Sequence, residues 1–253
     1  MNDRAPRRLG SYGIDAPYLL VIPAVLILWN VIDGVLNHRI VPFVVVAVLA
    51  ASVASGLYTS RRGKFVVWSK LLDSLALRGD EHVLDLGCGR GAVLLMAAER
   101  LPTGRAVGVD LWNRGDQSGN SPAATRRNAD AEGVADRVDL HTADMTALPF
   151  PNDSFDVVLS NVAIHNIKGA RQREAAIDEA LRVLRPGGRL MIADIFGADR
   201  YAQRLRARQV RDLERRGLGW RMWWSGPWVR TTLITATKPS SVSDEQRPDH
   251  LTV

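Results

Sequence analysis

The pattern of apolar and polar positions changes near residue 60. Before it, two runs carry no charge: YLLVIPAVLILWNVI over 18–32 and IVPFVVVAVLAASVASGLY over 40–58. A bilayer span needs roughly 20 apolar residues at about 1.5 Å each. The second run meets that length. The first reaches it only by including Asp33, or in a tilted or thinned bilayer. Residues 33–39 form a short polar loop between them, so the pattern predicts a hairpin with spans at about 18–36 and 40–58. Two buried helices of a soluble cap are the competing reading. A signal peptide would need a small-residue cleavage site after its apolar core, and Asp33-Gly34-Val35-Leu36 supplies none.

From about residue 65 the pattern alternates. Val83-Leu84-Asp85-Leu86, 106–110, 137–142, 155–160 and 189–195 read as strands. The intervening segments 92–101, 121–133 and 170–184 read as helices, the second capped by Asn120 or Ser121 and stopped by Gly133. Strands alternating with helices predict a parallel, doubly wound α/β sheet. Such sheets bind ligands at the carboxyl ends of their strands, where strand order reverses. Asp85, Asp110, Asp144, Asn161 and Asp194 fall at or beside those ends and outline a cleft.

Composition narrows the partners. The chain has 253 residues, 46% of them hydrophobic, enough for a sizeable core. The single cysteine, Cys88, excludes an intramolecular disulfide and a cysteine-cluster zinc site, and no metal is expected. The net charge of +6 suits an anionic surface. Arg4, Arg7 and Arg8 precede the first apolar run and Arg61, Arg62 and Lys64 follow the second, against Arg39 alone in the loop. The positive-inside rule then puts both termini and the α/β domain in the cytoplasm, below a two-span anchor.

The first strand runs into Gly87-Cys88-Gly89-Arg90-Gly91, which can be fitted to a dinucleotide template with Asp110 as the ribose ligand. Asp85 argues against a diphosphate, because its charge would meet the phosphates. It suits a ligand bringing positive charge, and S-adenosylmethionine carries an ammonium and a sulfonium. The glycines then admit the methionine part, Asp110 the ribose, and Asp144 with Met145 the adenine. Each carboxylate has a plainer reading: Asp85 as a helix cap, Asp144 as part of a turn.

Four ordered segments, VLDLGCGRG, VGVDLW, TADMTALPFPNDSFDVVLSNVAIHNI and EALRVLRPGGRLMIAD, resemble the class I S-adenosylmethionine-dependent methyltransferases, in particular the ubiquinone/menaquinone-type group. The resemblance covers about 66–238. It implies a Rossmann-like seven-stranded sheet whose last strand is antiparallel, supplied by Thr231 to Lys238. It also implies a cofactor site comprising Asp85, Gly87, Cys88, Gly89, Gly91, Asp110, Leu111, Asp144, Met145 and Asn161. The loop 111–120 is longer than is usual in that family and is expected beside the adenosine, with no role assignable to Asp116 or Gln117.

His165 after the fourth strand, and Asp194 at the end of the fifth, are the candidate catalytic residues, as a base or as substrate hydrogen-bonding groups. Histidine is also read as a residue that merely fixes its loop. Trp220, Trp223, Trp224 and Trp228 suggest an apolar pocket, a bilayer interface or ordinary edge-strand packing. A helix over 199–216 would align Arg200, Arg204, Arg208, Arg211 and Arg215 in one basic stripe, read as a solvated face or as a surface for anionic lipid headgroups, with too few aromatics for nucleic acid. The expected organisation is an anchor over 1–64, a methyltransferase domain over 65–238 and a disordered tail over 239–253. The expected activity is methyl transfer to a small lipophilic acceptor at the membrane. A nicotinamide-dependent oxidoreductase and a non-catalytic membrane scaffold are the rivals.

Overall fold

The computed structural model describes residues 7–240; the tail beyond 240, and Arg4, lie outside the described residues. Two helices come first, α1 (Val21–Leu36) and α2 (Val41–Tyr58). They pack antiparallel at a close crossing where a side chain on Gly34 would meet the Phe43 ring at 2.7 Å. Leu28, Trp29, Ile40, Val41 and Val44 point outward and are exposed.

Of the two spans expected over 18–36 and 40–58, the first is the shorter helix. α1 has 16 residues, about 24 Å of helix, because 17–20 winds as a 3₁₀ turn. Pro23 lacks the N–H that would bond the Leu19 carbonyl and extend the α-helix backward. Among the described residues, one continuous helical run, Val41–Ser74, is long and apolar enough to cross a membrane. It passes from α2 through a π-turn (Thr59–Gly63) into α3 (Lys64–Ser74). The expected boundary at residue 64 therefore lies inside a helix. α3 buries Phe65, Trp68, Leu71 and Leu72 in the core of the α/β domain, tying the apolar helix to it.

The domain then follows the alternation: β1 (His82–Leu86), α4 (Ala92–Ala98), β2 (Arg105–Asp110), α5 (Pro122–Glu132), β3 (Val138–Thr142), β4 (Phe155–Asn161), α6 (Ala170–Val183), β5 (Leu184–Asp194), α7 (Ala198–Ala207), β6 (Arg211–Gly217) and β7 (Thr232–Thr237). Ser121 caps α5 by accepting the Ala124 N–H, and Gly133 closes it in the left-handed conformation, as its sequence signals indicate. The sheet order is β3-β2-β1-β4-β5-β7-β6. β7 runs antiparallel between β5 and β6, as expected of the last strand. The strand order reverses between β1 and β4, where Leu86 pairs with Ser160 and the strand ends are level.

The basic helical stripe is not formed. α7 stops at Ala207, and 211–217 is an edge strand paired with β7. The stripe's arginines divide between elements: Arg204 and Arg208 grip Asp178 of α6, while Arg215 on β6 pairs with Asp199.

Candidate active site

β1 delivers Asp85 and the glycine turn to the reversal point. Asp85 is 1% exposed, and its Oδ1 has no hydrogen-bond partner among the described residues. Burial, and then the nearby charge of Asp110, pushes its carboxyl up to about 7. A buried, unpartnered carboxylate acceptor is costly unless a cation or donor completes it.

The turn after Asp85 is built by left-handed backbone. Gly87 has φ +73°, and a Cβ there would lie 2.2 Å from that of Ala163 and 3.4 Å from Met145 Cε. No side chain fits without moving the loop after β4. The Gly87 and Cys88 N–H groups both donate to the Val109 carbonyl, at 2.8 and 3.1 Å, fastening the turn to β2. Asp110 Oδ2 accepts the Gly89 N–H at 2.8 Å, and its Oδ1 accepts those of Trp112 and the Asn120 amide. Cys88 is buried, and burial raises its thiol well above the usual range.

Beyond β4, Val162 holds φ +52°, a strained value for a β-branched residue, and donates its N–H to Ala193. This turn presents His165. Its Nδ1 lies 2.6 Å from Asp194 Oδ1, and its backbone N–H donates to Asp194 Oδ2 at 3.0 Å. Asp194 is buried and also accepts the Ile195 N–H. With that carboxylate ionised, Nδ1 carries the proton and Nε2 is left as an acceptor. The Phe196 ring, 59% exposed, stands edge-on to the imidazole at 6.1 Å.

The expected residues do not all converge equally. Asp85, the three glycines, Asp110 and Met145 share one site. Asn161 stands at the end of β4, its Oδ1 accepting the Trp68 indole N–H from α3 at 2.8 Å. Leu111 is exposed just past β2. Asp144 is exposed and closes a turn through Thr146.

Three features escaped the sequence reading. A strap over residues 8–16 crosses the domain: Ser11 exchanges hydrogen bonds with Asn128, Tyr12 donates to Glu132, and Asp15 bridges to Gln117. Asp15 accepts from Ser60 and Lys64 through Oδ2, at 2.7 Å each, and from Gln117 through Oδ1 at 2.8 Å. The Gln117 Oε1 in turn accepts the Arg90 N–H of the glycine turn at 2.7 Å. Lys64, counted as a flanking cation, is buried in this network. Third, the long loop places Asp116 within electrostatic reach of both Asp110 and His165; burial and then Asp110 raise its carboxyl. A strap without periodicity leaves no signal in the sequence; the unusual length of the loop was the one visible sign.

Residues 83–188 match the family described as "Methyltransferase domain" (Methyltransf_25). This segment is similar to the methyltransferase domains of the S-adenosylmethionine-dependent class. The chain is 36% identical over 129 residues to the ubiquinone/menaquinone biosynthesis C-methyltransferase UbiE of Roseobacter denitrificans, covering 51% of this chain and 48% of that protein. The chain thus spans about half the length of the curated relatives it matches. Two solved structures share its fold. The [4+2]-cyclase SpnF has a TM-score of 0.56 at 21% identity, over 70% of this chain and 83% of its own. A geranyl diphosphate methyltransferase in complex with SAM gives 0.56 at 17% identity, over 73% and 90%. The nicotinamide reading falls with the match. The unpartnered Asp85 oxygen and the side-chain-free glycine cradle fit the S-adenosylmethionine that this class uses.

Proposed function

We propose that this chain is a membrane-anchored, S-adenosylmethionine-dependent methyltransferase acting on a small lipophilic acceptor at the cytoplasmic face. The observation that carries the reading is Asp85, a buried carboxylate with a bare oxygen beside a glycine turn. In this reading Asp85 receives the ammonium of the cofactor, the glycine backbone its methionine part and Asp110 its ribose hydroxyls. Leu111 and Met145 flank the adenine, with Asp144 at its edge and Asn161 toward the methionine end. When bound, the cofactor supplies an electrophilic methyl group on a sulfonium.

His165 Nε2 takes the proton of an acceptor that arrives protonated, such as a phenol or an acidic carbon. Asp194 fixes the tautomer and stabilises the imidazolium that results. Phe196 gives the acceptor an apolar surface beside the imidazole. The anchor is the exposed α1–α2 hairpin, with both termini on the domain side as the flanking arginines require. Short α1 crosses in a locally thinned bilayer. Because α2 continues into the domain core through α3, the active site is held at a fixed distance from the bilayer. Identity to UbiE, and a geranyl diphosphate methyltransferase among the shared folds, support a hydrophobic small-molecule acceptor.

The test is radiolabelled methyl transfer by the full chain over quinols, phenols and amines, each as a membrane-dissolved and a water-soluble form. Turnover confined to, or strongly favouring, membrane-dissolved acceptors supports the reading. Equal turnover on both forms overturns the membrane part, and no methyl transfer to any acceptor leaves the scaffold rival standing.

A further inference from the structure

We propose that a cavity at the foot of the apolar helix binds the phosphate of an anionic membrane lipid. The proposal rests on the membrane reading above and adds a site to it. The cavity is open, about 730 Å³, and lies between the strap and the π-turn. Arg8 lines it from the strap and Arg7 from just before it, Arg61 and Arg62 from the π-turn, and Tyr12 and Phe65 form part of its wall.

Four arginines line one space. Arg8 is committed to Glu99, yet its Nε is buried with no partner. Among the described residues, Arg7, Arg61 and Arg62 have no hydrogen bond or ion pair of their own. Arg8 is balanced by Glu99 and Glu132, whereas Arg7, Arg61 and Arg62, cations without carboxylate partners, repel one another and draw an anion. The planar guanidinium fork matches two phosphate oxygens at once.

Position decides the source of that phosphate. Arg61 and Arg62 follow within a few residues of the end of α2, the depth at which headgroup phosphates lie beside a spanning helix. The same helix end carries an aromatic collar. Trp220 stacks on Tyr58 at 5.1 Å, and the Arg221 guanidinium lies 4.7 Å from the Trp220 ring centre. Such a collar marks a membrane interface. It is seated by the backbone of the β6–β7 connection, whose Trp223 carbonyl accepts from Ser55 and Thr59.

The experiment is flotation of the full chain, diluted from detergent, with vesicles of phosphatidylcholine alone or with added phosphatidylglycerol. The wild type is expected to favour the anionic vesicles about thirtyfold, as two engaged arginines near a bilayer surface would produce. R61Q/R62Q should lose that preference and still float with phosphatidylcholine. R200Q/R206Q, with the same charge removed from α7, should keep it. R7Q, at another arginine lining the cavity, provides a milder variant should the double substitution not fold. Retained preference in R61Q/R62Q or R7Q, or equal loss in R200Q/R206Q, overturns the site. Competition by millimolar inorganic phosphate overturns its assignment to lipid. Equal binding to both vesicles by the wild type overturns the site alone, whereas binding to neither overturns the membrane reading with it.

Discussion

Asp15 and Lys64 form an ion pair 2.7 Å long, its ammonium buried, that joins the strap to the start of α3. Through Gln117 the same aspartate reaches the backbone of the glycine turn. The segment before the hairpin, the foot of the membrane-length helix and the cofactor turn are thus one hydrogen-bonded unit.

Removing one member of that unit should cost more than the pair contributes. Asp15→Ala strands the ammonium of Lys64, whose side chain is 2% exposed, and is expected to destabilise by about 3 kcal/mol. Lys64→Met should cost less, because it removes the buried charge instead of orphaning it. Thermal unfolding of both variants checks the order, and equal or reversed losses would count against a buried, paired lysine.

Gln117→Ala should leave the fold intact and weaken cofactor binding several-fold, because the Arg90 N–H loses its acceptor. Titration of S-adenosylmethionine against the variant measures this. Unchanged affinity would make the link from strap to turn purely structural.

Gly87→Ala should abolish cofactor binding. The left-handed backbone adds about 1–2 kcal/mol, and the added methyl would overlap the Ala163 side chain, driving the His165 loop away. Crystallography or amide exchange of the loop after β4 would show the displacement.

How much of this the sequence carried differs by element. The strands, the glycine turn and the helix caps announce themselves because local pattern and tertiary role agree. The segment RDLERRG does not: its charges suit an exposed helix, and only pairing with β7 makes it an edge strand. The strap has no repeat of its own, being held by Asn128 and Glu132, more than a hundred residues away. His165 and Asp194 were both legible as candidates, but the 2.6 Å contact that makes them a pair is a product of the fold.

That pair predicts a specific kinetic signature. His165→Ala should lower kcat by about 10²–10⁴-fold for acceptors that must lose a proton, with little change for acceptors already ionised. Asp194→Asn should fall between the two, since it leaves the imidazole but not its tautomer. Equal losses on both acceptor classes would assign His165 to holding its loop.

Asp85 couples the site to pH. Its folded carboxyl, raised to about 7 from an ordinary 3.8, keeps a proton that the unfolded chain has released. Ligand-free stability should therefore fall as pH rises from about 4 to about 7, and Asp85→Asn should remove that slope. Binding of a cationic ligand demands the ionised form, so affinity should rise with pH up to about 7 and then level. Denaturant melts across this range check the first statement, and proton release on ligand binding checks the second.

The most direct measurement is calorimetric titration of the full chain with S-adenosylmethionine and with NAD at pH 7.5, for wild type and Asp85→Asn. The account predicts binding of S-adenosylmethionine alone by the wild type, weakened at least tenfold in the variant. Binding of NAD, or undiminished S-adenosylmethionine affinity in Asp85→Asn, would contradict it.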